Sequence, residues 1–200
     1  MSSDPVREAA DWIRDGGVVV FPTETFYGLA VDPTQPDAVA AIFDLKGRPP
    51  GMALPLVASS LGQVESLVGT LRGANARLAA DFWPGPLSLV LDAPPSIAAA
   101  VHGGTHTVAI RVPAHPLARA LAEACGHALT ATSANRTGEP PVEDLTGITS
   151  IAADPRVVVL DGGRTPGGAP STIVDARVTP VRIIRNGAVP SDRVLRSIHE

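Results

Sequence analysis

Lys46 and Arg48 flank Gly47 just ahead of two prolines, and they make a suggestive pair of cations. A compact ammonium and a planar guanidinium side by side fit a polyphosphate better than either alone. Of sixteen basic residues fifteen are arginine, so Lys46, the only lysine, invites a specific role. The plain account is a cation pair at a helix C-terminus, which gains about 0.3–1 kcal/mol from the helix dipole. Three further segments concentrate polar groups. Phe21-Pro22-Thr23-Glu24-Thr25-Phe26-Tyr27-Gly28 crowds hydroxyls, a carboxylate and a phenol where a buried strand ends, the usual place for a polar site in a sheet protein. Thr130-Ala131-Thr132-Ser133-Ala134-Asn135 leaves another strand with groups able to meet phosphate oxygens or metal-bound water; side chains bonding their own turn explain it equally. Asp161-Gly162-Gly163-Arg164-Thr165-Pro166-Gly167-Gly168 reads as a mobile glycine-rich loop, followed at once by Ser171-Thr172-Ile173-Val174-Asp175.

Stepping along the chain, apolar periodicity alternates between helical and extended. Helices are expected over 5–15 (capped by Ser3 or Asp4), from a cap at Thr34 through Ala38, Val39, Ile42 and Leu45 to an end near 47–50, and over 60–69, 73–82, 115–124, 143–152 and 192–198. Strands are expected over 18–21, 54–58, 87–91, 107–112, 128–132, 157–160, 172–174 and 181–184. Pro55 places the second of these at an edge or at its own beginning. Helices and strands interspersed along the whole length argue for one twisted sheet covered by helices, with some antiparallel pairing across short links such as 175–181.

Composition removes several classes. At 200 residues and 44% apolar the chain can bury a sizeable core, so general disorder is excluded. No stretch approaches the ~18 consecutive apolar residues of a membrane helix, and the acidic N-terminus lacks a signal peptide's pattern. A cytoplasmic protein is expected. A net charge of −4 argues against a chain-wide attraction to nucleic acid but leaves room for a local basic groove. One cysteine, Cys125, excludes an internal disulfide and a cysteine zinc finger. P-loop, Rossmann and G-x-S-x-G signatures are absent. His102 and His106 stand at i, i+4, but Gly103 and Gly104 make a helical metal pair a poor reading.

Together the motifs carry more than any one does. The 21–28 segment, Lys46-x-Arg48, Trp83-Pro84-Gly85-Pro86-Leu87, Ala109-Ile110-Arg111-Val112-Pro113, Ser133-Ala134-Asn135, Ser171-Thr172-Ile173-Val174-Asp175 and Arg185-x-Gly187 resemble the YrdC-like family in order and spacing, over roughly residues 5–190. The resemblance implies an α/β fold: a twisted open mixed sheet with flanking helices around a large concave cavity, as one domain over 1–200 with its core at about 5–190. It implies nucleotidyl transfer: L-threonine, bicarbonate or CO2, and ATP give L-threonylcarbamoyl-AMP and pyrophosphate, the first step of threonylcarbamoyladenosine formation on tRNA. Carried over position by position, Lys46, Arg48, Thr107, Ser133, Asn135 and Arg185 would hold ATP, with Lys46, Arg48, Ser133 and Asn135 the catalytic set. Thr25, Arg111, Ala131 and Ser171 would line the threonine pocket. No metal site of the protein's own is implied; Mg²⁺ would come with ATP. The tRNA or the downstream threonylcarbamoyl-transfer machinery would be further partners, and no membrane.

The chain departs from the family pattern after the K-x-R motif. Leu54 stands where an asparagine is common, Ser59 where a histidine is, and the link 49–53 is about two residues longer. Pro141 replaces a position that is often serine. The family's long members carry a further C-terminal domain, which is not expected here. Two other readings stand beside the synthase. One is a nucleotide- or RNA-binding module of the same fold without full synthesis. The other is the carbamoyl-transfer domain of hydrogenase maturation, whose cysteine-rich zinc modules a single cysteine cannot supply.

Overall fold

Asp4 opens the first helix by accepting a hydrogen bond from the Val6 backbone N–H at 3.0 Å, with Pro5 in the first turn where a missing N–H costs nothing. The computed structural model describes residues 4–199. The alternative cap Ser3, and the ends of the expected 1–200 unit, lie outside them. The first helix, α1 (Pro5–Arg14), leads to β1 (Val18–Phe21) and β2 (Gly28–Ala30). Next comes α2 (Pro36–Lys46), which starts after Gln35 rather than under Thr34. Thr34 is spent on Asp32, whose Oδ1 accepts from both its N–H and its hydroxyl.

β3 (Leu56–Val57) begins after Pro55 and is shorter than the expected 54–58 run. It is followed by α3 (Leu61–Val68), α4 (Gly73–Phe82), β4 (Leu87–Asp92), the one-turn α5 (Ala99–His102) and β5 (Thr107–Arg111). The second half holds α6 (Pro116–Cys125), β6 (Leu129–Thr130), β7 (Thr132–Ser133), a 3-10 turn over Leu145–Ile148, α7 (Thr149–Ala152), β8 (Val157–Val159), β9 (Thr172–Asp175), β10 (Arg182–Arg185) and α8 (Ser191–His199).

The fold class is α/β with mixed pairing, as expected, but the strands form two sheets rather than one. The orders are β7-β2-β1-β8 and β10-β9-β4-β5-β3-β6. Pairs β1–β8, β3–β5 and β4–β9 are parallel, while β9–β10, joined by the short link, is antiparallel. The division lies inside the single strand expected over 128–132. Thr130 pairs with Leu56 in the larger sheet, whereas Thr132 pairs with Leu29 in the smaller. Between them Ala131 turns its N–H to Pro55 O at 2.8 Å. One extended stretch thereby stitches two sheets together, and a concavity opens between them.

β1 reads Val-Val-Val-Phe because both its faces are covered. Val18 and Val20 belong to the larger apolar cluster with Val39, Ile42, Leu56 and Leu89. Val19 and Phe21 face a second cluster, closed by Ala9, Ala10 and Ile13 of α1 and Leu121 and Ala122 of α6. Each fully buried branched side chain contributes about 1.5–3 kcal/mol, so this two-sided burial fixes where β1 ends and the 21–28 segment starts. Among the described residues no helix is long and apolar enough to cross a membrane.

Candidate functional site

The larger sheet sorts its side chains by strand alternation. Leu87, Leu89 and Leu91 of β4 enter the core, leaving Ser88 and Val90 on the opposite face; on β5, Val108 and Ile110 are buried while Thr107, Ala109 and Arg111 point the other way. That second face is one wall of a cavity of about 670 Å³. Its other walls are the 23–28 turn, Arg48, residues 53–56, the 131–135 stretch, Ser171 just before β9, Ile173 of β9 and Arg185 of β10. Of the ten residues expected at a site, Thr25, Arg48, Thr107, Arg111, Ala131, Ser133, Asn135, Ser171 and Arg185 all line this cavity. Lys46 does not.

Lys46 lies behind the wall. Gly47 takes the left-handed conformation (φ 55°) that a side chain would resist, closing α2 and leaving Lys46 on its last turn. The buried ammonium donates to Ser133 O and, at 2.6 Å, to Asn135 O, while Thr137 N donates back to Lys46 O at 2.8 Å. The lysine therefore straps the 133–137 turn to α2. Burial, with the neighbouring Arg48 cation, pushes its pKa down to about 8, opposed by Glu139. Arg48 itself donates to Ala53 O at 2.9 Å, and burial lowers its pKa.

Two cavity-lining residues carry buried polar atoms without partners. Asn135 donates from Nδ2 to Arg136 O (2.9 Å) and Glu139 O (2.7 Å), which fixes its amide so that Oδ1 faces away with nothing to accept from. The Arg48 Nε–H is likewise unmatched. Buried polar atoms are normally paired, so these two unmatched atoms mark where the polar bonding around the cavity is incomplete.

Arg111 is buried and pairs with Glu24 Oε1; Glu24 Oε2 is buried without a partner. Burial pushes the Arg111 pKa down and Glu24 opposes it. His115 is also lowered by burial, again opposed by Glu24. Arg185 forks onto Ser171, with Nε and Nη2 donating to its carbonyl at 3.0 and 2.8 Å and Nη2 to its Oγ at 2.9 Å. Burial and the Arg111 cation both lower the Arg185 pKa. Thr25 is set by Thr23, whose Oγ1 accepts from Thr25 N and Phe26 N and donates to Phe26 O at 2.7 Å.

The 161–168 loop is tied down in this structure, where its glycines suggest mobility. Tyr27 Oη donates to Gly163 O at 2.6 Å and accepts from Gly162 N at 3.1 Å. Arg164 pairs with Glu143, Thr165 N donates to Glu143 O, and Gly167 N donates to Thr25 O. The departures from the family pattern sit in different places. Leu54 and Pro141 line the cavity, whereas Ser59 is outside it, its N–H donating to Gln63 Oε1. His102 uses Nδ1 to accept from Gly104 N and His106 N, a turn-closing role. Cys125 is half-buried, and burial raises its thiol pKa to about 11, so it is no ready nucleophile.

Among the described residues no cluster of three histidine, cysteine or carboxylate side chains could hold a metal. Asn135 Oδ1, which has no partner, and the Glu139 carboxylate are oxygen acceptors on residues that line the cavity. Sequence reasoning missed Ser88, Glu139 and the Glu24 partnership with Arg111. The first had a signal: a lone serine in the otherwise apolar alternation of 87–91.

The family model Sua5_yciO_yrdC, described as telomere recombination, matches residues 11–187. A threonylcarbamoyl-AMP synthase of Pyrococcus abyssi is 36% identical over 195 residues, 98% of this chain and 57% of that protein. One from Alkalilimnicola ehrlichii is 42% identical over 174 residues, covering 86% of this chain and 90% of its own length. The crystal structure of P. abyssi Sua5 complexed with L-threonine superposes with a TM-score of 0.89 at 36% identity, over 100% of this chain and 59% of that one. The chain thus spans little more than half of the P. abyssi relative and nearly all of the bacterial one.

Proposed function

Since the chain belongs to the Sua5/YciO/YrdC family, we propose that it is an L-threonylcarbamoyladenylate synthase. The reaction has two chemical steps. The threonine amine adds to CO2 supplied from bicarbonate, losing a proton to give the carbamate. A carbamate oxygen then attacks the α-phosphorus of ATP, and pyrophosphate leaves. Neither step needs a covalent protein nucleophile, so positioning and charge neutralisation carry the catalysis.

The residues divide by chemistry. Arg111 presents a guanidinium to the threonine carboxylate, with Thr25, Ala131 and Ser171 around it. Arg48, Thr107, Ser133, Asn135 and Arg185 take the nucleotide, whose phosphates meet Arg48 and Arg185. Lys46 supports them from behind, holding the turn that carries Ser133 and Asn135. Mg²⁺, when bound with ATP, would neutralise phosphate charge, with Asn135 Oδ1 and Glu139 as the chain's acceptors for its water. A cytoplasmic location and delivery of the labile product to tRNA, or to the machinery that transfers it, belong to the same reading.

The observation that supports it best is the cavity itself: three arginines, Arg48, Arg111 and Arg185, share one chamber of about 670 Å³ with several hydroxyls. The test is to mix the purified protein with ATP, Mg²⁺, bicarbonate and single amino acids, then measure pyrophosphate and look for the acyl-adenylate by mass. Threonine-dependent pyrophosphate and threonylcarbamoyl-AMP are expected. Nucleotide binding with no threonine-dependent pyrophosphate would overturn the synthase in favour of a nucleotide- or RNA-binding module.

A further inference from the structure

Ser88 is a hydroxyl on a strand, β4, whose other cavity-facing side chain is Val90. It is 1% exposed, sits on the cavity face of β4, and lies opposite Ile173 of the parallel neighbour β9. Its Oγ is 3.1 Å from Ser171 Oγ, its only side-chain hydrogen bond among the described residues. Ser171 Oγ is also claimed by Arg185 Nη2 at 2.9 Å.

Counting hydrogens limits what this cluster can do. A guanidinium only donates, so Ser171 Oγ must spend a lone pair on Arg185. The two serines bring two hydroxyl hydrogens, and the bond between them consumes one. If Ser88 donates to Ser171, the Ser171 hydrogen is left over; if Ser171 donates to Ser88, the Ser88 hydrogen is. Either way one donor and spare lone pairs remain on a buried pair that lines the cavity. A ligand hydroxyl, which both donates and accepts, matches that remainder, whereas a methyl group answers neither half of it. A carboxylate matches less well, since it cannot donate and Arg111 already offers it a cation.

We propose that Ser88 is a specificity-determining residue that acts with Ser171 as a two-hydroxyl reader of the substrate's β-hydroxyl. This rests on the synthase reading above, which supplies threonine as the substrate. Arg185 locks one end of the pair, and Ser88 completes it from the strand floor.

The experiment compares wild type, Ser88→Ala, Ser88→Thr and Ser88→Cys for pyrophosphate release with threonine, serine and valine, each at saturating ATP, with the KM for ATP measured separately. In Ser88→Ala the preference for threonine over valine should fall about 10-fold, through a raised KM for threonine, with the KM for ATP within about twofold of wild type. Ser88→Thr keeps the hydroxyl and should restore the preference to within about threefold of wild type. A Ser88→Ala enzyme that discriminates as wild type does, or that loses threonine and valine turnover equally, overturns the inference. Should Ser88→Ala fail to fold, Ser88→Cys, of similar size but a weak hydrogen-bonding group, decides: unchanged discrimination overturns the proposal and reduced discrimination supports it. Wild-type protein that releases no pyrophosphate with threonine would instead remove the synthase reading, and this inference with it.

Discussion

At the scale of single residues, Lys46 has the sharpest consequences. Its ammonium bonds two carbonyls of the 133–135 turn, so removing the charge should loosen Ser133 and Asn135 together. Lys46→Met is expected to lower turnover by ~10²-fold, the scale of binding groups displaced from behind, and a folded variant with near-normal pyrophosphate release would remove the lysine from the mechanism. Its pKa of about 8, against an ordinary 10.5, gives a second test. Between those values the unfolded chain holds a proton that the folded chain has released, so this group makes stability rise with pH there. The rate should fall over the same range as the strap loses its charge. Rate and stability moving in opposite directions above pH 8, with the falling limb absent in Lys46→Arg, is the expected signature; a rate that stays level through pH 9 would contradict it. Arg111 and Glu24 offer a contrast. Glu24→Ala leaves a buried guanidinium without its carboxylate and should cost about 3 kcal/mol by denaturant unfolding. A loss under 1 kcal/mol would show that the pair contributes little. Residue types and spacing disclosed the cations and hydroxyls of this site, but not the partnership of Glu24 with Arg111. Eighty-seven positions separate them, and nothing local in either segment encodes that approach.

At the scale of elements, the long helices and strands were legible because their apolar periods are strong, as in α4, found over the expected 73–82. The errors fall where polar side chains or tertiary bonds decide. Thr34 is diverted by Asp32, β2 follows a turn wired by Thr23, and the 128–132 run divides because its N–H groups pair with two different sheets. The glycine-rich 161–168 loop illustrates the same point. Glycine content suggested motion, yet the Tyr27 hydroxyl bonds both Gly162 and Gly163. Tyr27→Phe deletes those two bonds while keeping the packed ring. Each is worth about 1 kcal/mol net, so amide exchange in residues 162–167 should quicken by roughly 5- to 30-fold. Unchanged exchange would mean that the bonds of Arg164, Thr165 and Gly167 suffice to anchor the loop. Gly187 tests the neighbouring element: a Cβ there would come within 2.2 Å of Pro170 O, at the residue before Ser171. Gly187→Ala should therefore destabilise by about 1–3 kcal/mol and raise the KM for threonine more than that for ATP. Equal KM values in variant and wild type would separate the β9 approach from the threonine pocket.

At the scale of the whole molecule, charge and topology point to one place. The chain is acidic overall, at −4, yet Arg48, Arg111 and Arg185 converge on one cavity with Lys46 behind its wall. The fold class was readable from interspersed periods, and the clustering only through the family resemblance; that two sheets enclose the site was not, because sheet membership depends on backbone pairing that side-chain patterns leave open. The division matters for how ligand binding is felt. Arg48, Ser133 and Asn135 belong to α2's end and the smaller sheet's margin, while Thr107 and Arg185 project from the larger sheet. A nucleotide held by both sets bridges the two sheets and should stabilise the fold as a unit. At a ligand concentration 100-fold above its Kd the gain is about 2.7 kcal/mol, which raises the Tm of a chain this size by roughly 5–11 °C. Arg48→Ala should abolish most of the shift with MgATP and spare that with threonine, and Arg111→Ala should do the reverse if enough folded protein survives loss of the buried pair. The control is Arg7→Ala, an exposed residue of α1 far from the cavity wall, which should leave both shifts intact. If Arg48→Ala and Arg7→Ala respond alike to MgATP, the nucleotide is held elsewhere and the bridge between the sheets is lost.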